Sequence, residues 1–107
     1  MKKNNYVEQV YEITQLIPFG KVSTYGAIAN YLELGSARMV GWALNKSFTM
    51  DNVPAHRVVN RKGELSGRNH FPTPTMMQEL LENEGVTVIN DKIENLKEHL
   101  WDPSLDL

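Results

Sequence analysis

The chain of 107 residues contains no cysteine, and that absence removes disulfides, thiolate metal sites and every sulfur nucleophile at once. No apolar run approaches membrane-spanning length. The opening segment, "MKKNNYVEQV", carries two lysines without an apolar stretch behind them, so it does not read as a secretory signal. These absences lead to the expectation of a soluble, cytoplasmic protein with no membrane partner. With 41% hydrophobic residues, residues 1–107 suffice for one core and are too few for two, so a single domain is expected.

Charge is unevenly placed although the net value is only −2. Up to Arg68 there are nine Lys/Arg against five Asp/Glu; from Asn69 onward there are two against eight. A basic portion carrying a site and an acidic portion facing away suit a modest DNA binder. An ordinary acidic surface helix with a charged tail gives the same count.

The periodicity is mostly helical. "NYVEQVYEITQLI" places Tyr6, Val7, Val10, Tyr11, Ile13 and Leu16 or Ile17 near helical spacing, with Pro18 and Gly20 to end it. "KVSTYGAIANYLEL" predicts a second helix opening on a Ser23 or Thr24 cap, with Ile28, Ala29 and Leu32 inward and Gly35 closing it. Ser36 is placed to cap a third helix, "ARMVGWALNKS". Two helices joined through a short turn form a helix-turn-helix pattern, which plain packing also produces. Beyond it, "FTMDNVP" reads as loop, "HRVVN" as a short β-branched run, "RKG" as a turn and "ELSGRNHFPTPT" as an ordered loop. "MMQELLENEG" predicts a helix with Met76, Met77, Leu80 and Leu81 on one face, ended by Gly85. "VTVINDKI" suggests a short edge strand, and "LKEHLWDPSLDL" a last helix or strand with a frayed, solvated end.

Three features draw attention. Arg38 sits in the first turn of the third helix, where it opposes the positive end of the helix dipole unless an anion or stacked base answers it. Ala37, Gly41 and Ala43 are small enough for that helix to approach another surface closely. The stretch "VPAHRVVN", Val53 to Asn60, has the frame of a reactive site with an alanine at its centre. Plainer readings stand beside these: Arg38 a solvated charge, Gly41 a packing glycine and, on the second helix, Tyr25 a half-buried aromatic.

In order and spacing, "KVSTYGAIA", "SARMVGWAL", "VPAHRVVN", "GELSG" and "LLENEG" resemble the C-terminal DNA-binding domain of the O6-alkylguanine-DNA alkyltransferases, from about Pro18 to Gly85. That family's signature is proline-cysteine-histidine-arginine-valine, its cysteine accepting the alkyl group irreversibly. Here Pro54, His56, Arg57 and Val58 match, and Ala55 stands in the acceptor's place. Alkyl transfer needs an activated thiolate, and the chain has none. It is therefore similar to the alkyltransferase-like proteins, which keep the lesion pocket without the acceptor. Many of these carry tryptophan at the cysteine position; Trp42, on the third helix, is not that residue.

The resemblance implies a non-enzymatic sensor that binds O6-alkylguanine in duplex DNA, flips the base and flags it for nucleotide excision repair. Tyr25 would press on the phosphate 3′ to the target. Arg38 would intercalate through the minor groove, with Ser36, Ala37 and Gly41 at the interface. The flipped base would lie among Tyr25, Met39, Pro54, Ala55, His56, Arg57, Val58 and Ser66. His56 and Glu84 would persist as a vestigial, structural pair. Asn60 matches the family only loosely, and the family's hinge asparagine aligns nearer Ser47 or Asn45. The implied partners are lesion-bearing double-stranded DNA and excision-repair proteins, with no cofactor, a monomeric state, and association with the nucleoid when DNA-bound.

Other readings are weaker. His56, His70 and His99 lack ligand spacing, so no metal is expected, and no nucleophile elbow supports a hydrolase. A winged-helix transcription regulator remains the alternative, although "SARMVGWALNKS" offers few groups for reading major-groove edges before Asn45. The expected fold is mainly α with a minor β part, a helix-turn-helix or winged-helix-like domain of the alkyltransferase C-terminal type.

Overall fold

The computed structural model describes residues 5–47 and 52–107. Most of the expected loop "FTMDNVP" and the first four residues of the opening segment lie outside the described residues.

Helix α1, Tyr6–Leu16, is capped by Asn5, whose side chain accepts from the Glu8 N–H at 3.0 Å. It buries Val10, Ile13 and Thr14. Of the two alternatives at its end, Ile17 is buried and Leu16 exposed. Pro18–Lys21 then forms a turn closed by Lys21 N–H to Pro18 C=O at 3.0 Å. Gly20 takes φ 84° at its third position, the site of a type II turn that requires positive φ.

Strand β1, Ser23–Thr24, runs parallel to β2, Val58–Val59, with Ser23 opposite Val58 and Thr24 opposite Val59. Because successive strand residues face opposite ways, the two valines serve different interiors. Val58 closes a cluster with Val10, Ile28, Val40 and Ala43, and Val59 one with Leu65, Met77, Leu81 and Val88. The expected single core is thus divided by this pair of strands.

Helix α2, Tyr25–Tyr31, starts on Thr24, whose hydroxyl accepts from Ala27 N–H at 3.0 Å. Ser23 belongs to the strand instead. Gly35 does not close α2. The helix stops earlier, in a Schellman turn: Leu34 N–H reaches Ala29 C=O at 2.9 Å and Glu33 N–H reaches Asn30 C=O at 3.2 Å. Glu33 occupies the left-handed position at φ 58°. Helix α3, Ala37–Leu44, packs against α1 and α2 to complete the helix-turn-helix. Ser36 stands at its N-cap position, but the hydroxyl makes no capping bond.

In the second half, Ala55–Arg57 forms one 3₁₀ turn leading into β2, so only Val58 and Val59 of the "HRVVN" run are strand. The "RKG" turn is organised by Asn60, whose side-chain oxygen accepts from the Lys62 and Glu64 N–H groups. One 3₁₀ turn, Arg68–His70, interrupts the ordered loop before helix α4, Met76–Asn83. Met77 and Leu81 of α4 are buried while Met76 and Leu80 are half-buried. Gly85 follows at φ 88°.

The expected edge strand is a hairpin, β3 Val88–Ile89 and β4 Lys92–Ile93. Asn90 and Asp91 both have positive φ, at 54° and 61°, as a two-residue type I′ turn demands. The C-terminal segment is not a solvated tail. After α5, Leu96–His99, the chain brackets Val22: Val22 N–H binds His99 C=O at 2.8 Å and Trp101 N–H binds Val22 C=O at 2.7 Å. Trp101 enters the first cluster and Pro103 of α6, Pro103–Asp106, is buried, so beyond α5 exposure is confined to the last four residues, Ser104 to Leu107, and to Leu100. Among the described residues no helix is long and apolar enough to cross a membrane.

A non-glycine residue in the left-handed region carries strain that glycine relieves. Replacing Glu33 with glycine is therefore expected to stabilise the protein by roughly 1 kcal/mol and raise the melting temperature by several degrees. A lower melting temperature would mean that the Glu33 side chain holds a contact outweighing the strain.

Candidate nucleic-acid interface

The site is built around one carboxylate. Glu84, at the C-terminal end of α4, accepts the Gly20 N–H on Oε1 at 2.7 Å and faces His56 Nε2 with Oε2 at 2.7 Å. Arg57 adds Nε to both oxygens at 3.1 Å and Nη2 to Oε2 at 3.0 Å. The remaining Arg57 nitrogen, Nη1, donates to Ile17 C=O at 2.8 Å, and the guanidinium lies 5.9 Å from the Phe19 ring centre. Three segments distant in sequence are thereby held at one point: the turn after α1, the 3₁₀ turn with Ala55, and the end of α4. The acidic half of the chain does not simply face away, since it supplies this central group.

Burial and hydrogen bonding together set the charge states. His56 is held below the ordinary imidazole value because burial disfavours its cation; the Glu84 hydrogen bond and charge oppose this, and the Arg57 charge reinforces it. With Arg57 already paired to the carboxylate, the imidazole is neutral near pH 7, and Nε2 donates to Glu84. Burial alone would raise Glu84, but hydrogen bonds from Arg57, Gly20 and His56 outweigh it and hold the carboxyl below its usual range. Nothing here awaits a reaction. Ala55 places a methyl group where an acceptor would have to be, and neutral His56 has no thiol to deprotonate.

The residues expected to line one pocket are distributed over two cavities. Pro54, Ala55, His56 and Arg57 line a space of about 490 Å³ with Phe71 and Met76. Tyr25, Ala37, Arg38, Gly41 and Ser66 line another of about 370 Å³ with Trp42. A space of only about 10 Å³, walled by Tyr25, Ala55, Leu44, Gly67, Phe71 and Met77, shares walls with both. That is room for about one water. Met39 and Val58 line none of these three: Met39 is half-buried on another side of α3, and Val58 is committed to the core. Ser36 is exposed at the head of α3 and lines neither cavity.

Tyr25 stands between the helix-turn-helix and the loop that carries Ser66. It opens α2, its hydroxyl bonds to Ser66, and burial raises its pKa while that bond lowers it to a lesser extent. A Cβ on Gly67 would stand 2.9 Å from the Tyr25 Oη, so glycine there permits the contact. Gly41 behaves differently. A Cβ built on it meets nothing within 4 Å, which removes the packing explanation and leaves an open helix surface beside exposed Arg38. Arg38 has no carboxylate partner among the described residues. Among the same residues no group of three or more His, Asp or Glu is placed to hold a metal ion. Ser47 is buried with its hydroxyl on Leu44 C=O at 2.7 Å, ending α3.

Trp42, Asn45, His70 and Phe71 were not among the expected interface or pocket residues. Trp42 and Asn45 follow Arg38 at four and seven residues, a helical spacing that the sequence displays; His70 and Phe71 arrive through a loop without periodicity.

Comparison with known proteins gives a consistent set of relatives. Residues 5–86 match the family described as 6-O-methylguanine DNA methyltransferase, DNA binding domain. The chain is 37% identical over 108 residues to the alkyltransferase-like protein 1 of Schizosaccharomyces pombe, covering 96% of this chain and 100% of that one. It is 33% identical over 101 residues to the DNA base-flipping protein of Escherichia coli, covering 94% and 77% respectively. The crystal structure of the S. pombe protein in complex with damaged DNA containing O6-carboxymethylguanine superposes with a TM-score of 0.80 at 35% identity, covering 96% of this chain and all of that one.

The two displaced pKa values act in one direction on stability. Between the folded and unfolded values of each group the unfolded chain binds more protons, so stability is lost as pH falls. The His56 contribution begins to fail below about pH 6.5 and that of Glu84 below about pH 4.3. The melting temperature should decline from pH 7 to pH 5, and His56→Gln should flatten that part of the curve. An unchanged slope in the variant would place the titration elsewhere.

Proposed function

The chain belongs to the family of the 6-O-methylguanine DNA methyltransferase DNA-binding domain, and from that premise we propose that it is a non-enzymatic sensor of O6-alkylguanine in duplex DNA. The observation that carries this reading is an assembled site frame without a nucleophile. Gly20, His56, Arg57 and Glu84 are locked together around Ala55, in a chain with no cysteine. A protein so arranged can receive an alkylated base and cannot take its alkyl group.

The physical route starts at α3. Its outer face presents Arg38 beside an uncovered Gly41, and small residues let a helix enter the minor groove closely. Arg38 fills the gap in the base stack, where the DNA phosphates answer a charge poorly placed at a helix N-terminus. Tyr25 presses on the backbone and turns the nucleotide outward. An alkylated guanine pairs poorly, so its extrusion costs less than that of an intact base. The water-sized space between Tyr25 and Ala55 must widen to admit a purine, so the Gly67–Phe71 segment yields as the base enters. Because Ala55 also lines the 490 Å³ cavity, the alkyl group then faces room beyond it. Binding affinity should accordingly change little from O6-methyl to larger O6-alkyl groups. A steep loss with size would remove that role from Ala55.

The protein acts as a cytoplasmic monomer, associated with the nucleoid when bound, and marks the lesion for excision-repair proteins. The last of these rests on the kind of function, since a reader that leaves the lesion intact requires another activity to remove it.

A fluorescence-anisotropy titration of one duplex with and without a single O6-methylguanine, followed by analysis of the recovered base, tests the whole reading. Expected are tighter binding to the damaged duplex, a methyl group retained on guanine, and sharply weaker binding by Arg38→Ala and Tyr25→Ala. Equal affinity for both duplexes would favour a sequence reader, and a lost methyl group would refute the absence of chemistry.

A further inference from the structure

Helix α3 divides cleanly into an inner and an outer face. Val40, Ala43 and Leu44 are buried; Arg38, Trp42 and Asn45 are exposed. Trp42 is 53% exposed and belongs to neither buried cluster. A tryptophan left so open is unusual in a residue that is highly buried on average. It stands one helical turn after Arg38, next to Gly41, and shares with Tyr25, Arg38 and Ser66 the walls of the 370 Å³ cavity. Its indole therefore continues the surface already assigned to DNA and adds to it a large, exposed π-face, where the Tyr25 ring is half-buried.

We infer that Trp42 is a base-stacking platform of the interface, packing on a nucleobase that becomes unstacked when the duplex opens. This rests on the reading of the protein as a lesion sensor. Within an intact duplex the faces of the bases are covered by their neighbours, so an indole at the groove meets only edges and sugars. Once a nucleotide leaves the stack and Arg38 enters, a base face becomes available within one helical turn of the guanidinium. Stacking there adds binding free energy only to the opened state. Trp42 thus raises discrimination between damaged and undamaged DNA without reading any sequence.

The test uses the full chain with Trp42→Ala and Trp42→Phe, on the damaged and undamaged duplexes. Trp42→Ala should bind the O6-methylguanine duplex roughly ten-fold more weakly, the scale of one base–aromatic stack, with little change on the undamaged duplex. Trp42→Phe should recover most of the loss. Because Trp101 is buried and Trp42 exposed, wild-type emission should be quenched on binding damaged DNA, and that quenching should vanish in Trp42→Phe. Melting temperatures of the free variants should match the wild type, which separates contact from folding. Equal losses on both duplexes, or Trp42→Ala binding damaged DNA like the wild type, overturn the stacking role and leave the sensor reading standing. A wild type without preference for the damaged duplex overturns that reading, and the inference falls with it.

Discussion

A single carboxylate fixes the relation between the halves of this protein. Glu84 gathers a backbone N–H from Gly20, a guanidinium from Arg57 and an imidazole from His56, each from a different part of the chain. A buried charge of this kind is tolerated only because every lone pair facing inward is answered. The Arg57 guanidinium in turn reaches Ile17, tying α1 to the same point. In an enzyme the arrangement would tune a nucleophile. Around Ala55 it serves geometry, holding the 3₁₀ turn that forms one wall of the pocket while the helix-turn-helix provides the other.

Much of this was legible in the residues, because the strongest local signals are physical ones. Apolar spacing placed α1, α3 and α4, Thr24 had the chemistry of a cap, and the frame around Ala55 marked that turn as the candidate site. What failed to show had equally physical reasons. The end of α2 was assigned to Gly35 because glycine is the usual left-handed residue, yet Glu33 takes that conformation under two backbone hydrogen bonds. The hairpin was concealed because Asn-Asp satisfies a type I′ turn less obviously than Asn-Gly. Trp101 looked like part of a tail because its partners, Val22 and the first cluster, are distant in sequence.

The site shows the same division. Tyr25 at the head of α2 and Arg38 in the first turn of α3 were located by helical spacing alone. The cavity walls were not, since they depend on which face of each element turns inward. Val58 was expected at the pocket and belongs to the core, whereas Leu44, Phe71 and Met77 close in on Ala55 from three separate elements. The narrowness of that space has meaning for recognition. In the proposed sensor, a space shut in the free protein makes each encounter depend on the DNA's own readiness to open.

The pairing of β1 with β2 involves only two residues on each strand, yet it works as a gauge. Tyr25 follows β1 directly and Ala55 stands three residues before β2, so the register Ser23 to Val58 sets the distance between these two residues. A slip by one residue would exchange the Val58 and Val59 faces and expose both interiors, so the register cannot drift. Because both strands lie between the two clusters, the spacing of Tyr25 and Ala55 is a property of the core itself, and a change of surface leaves it untouched.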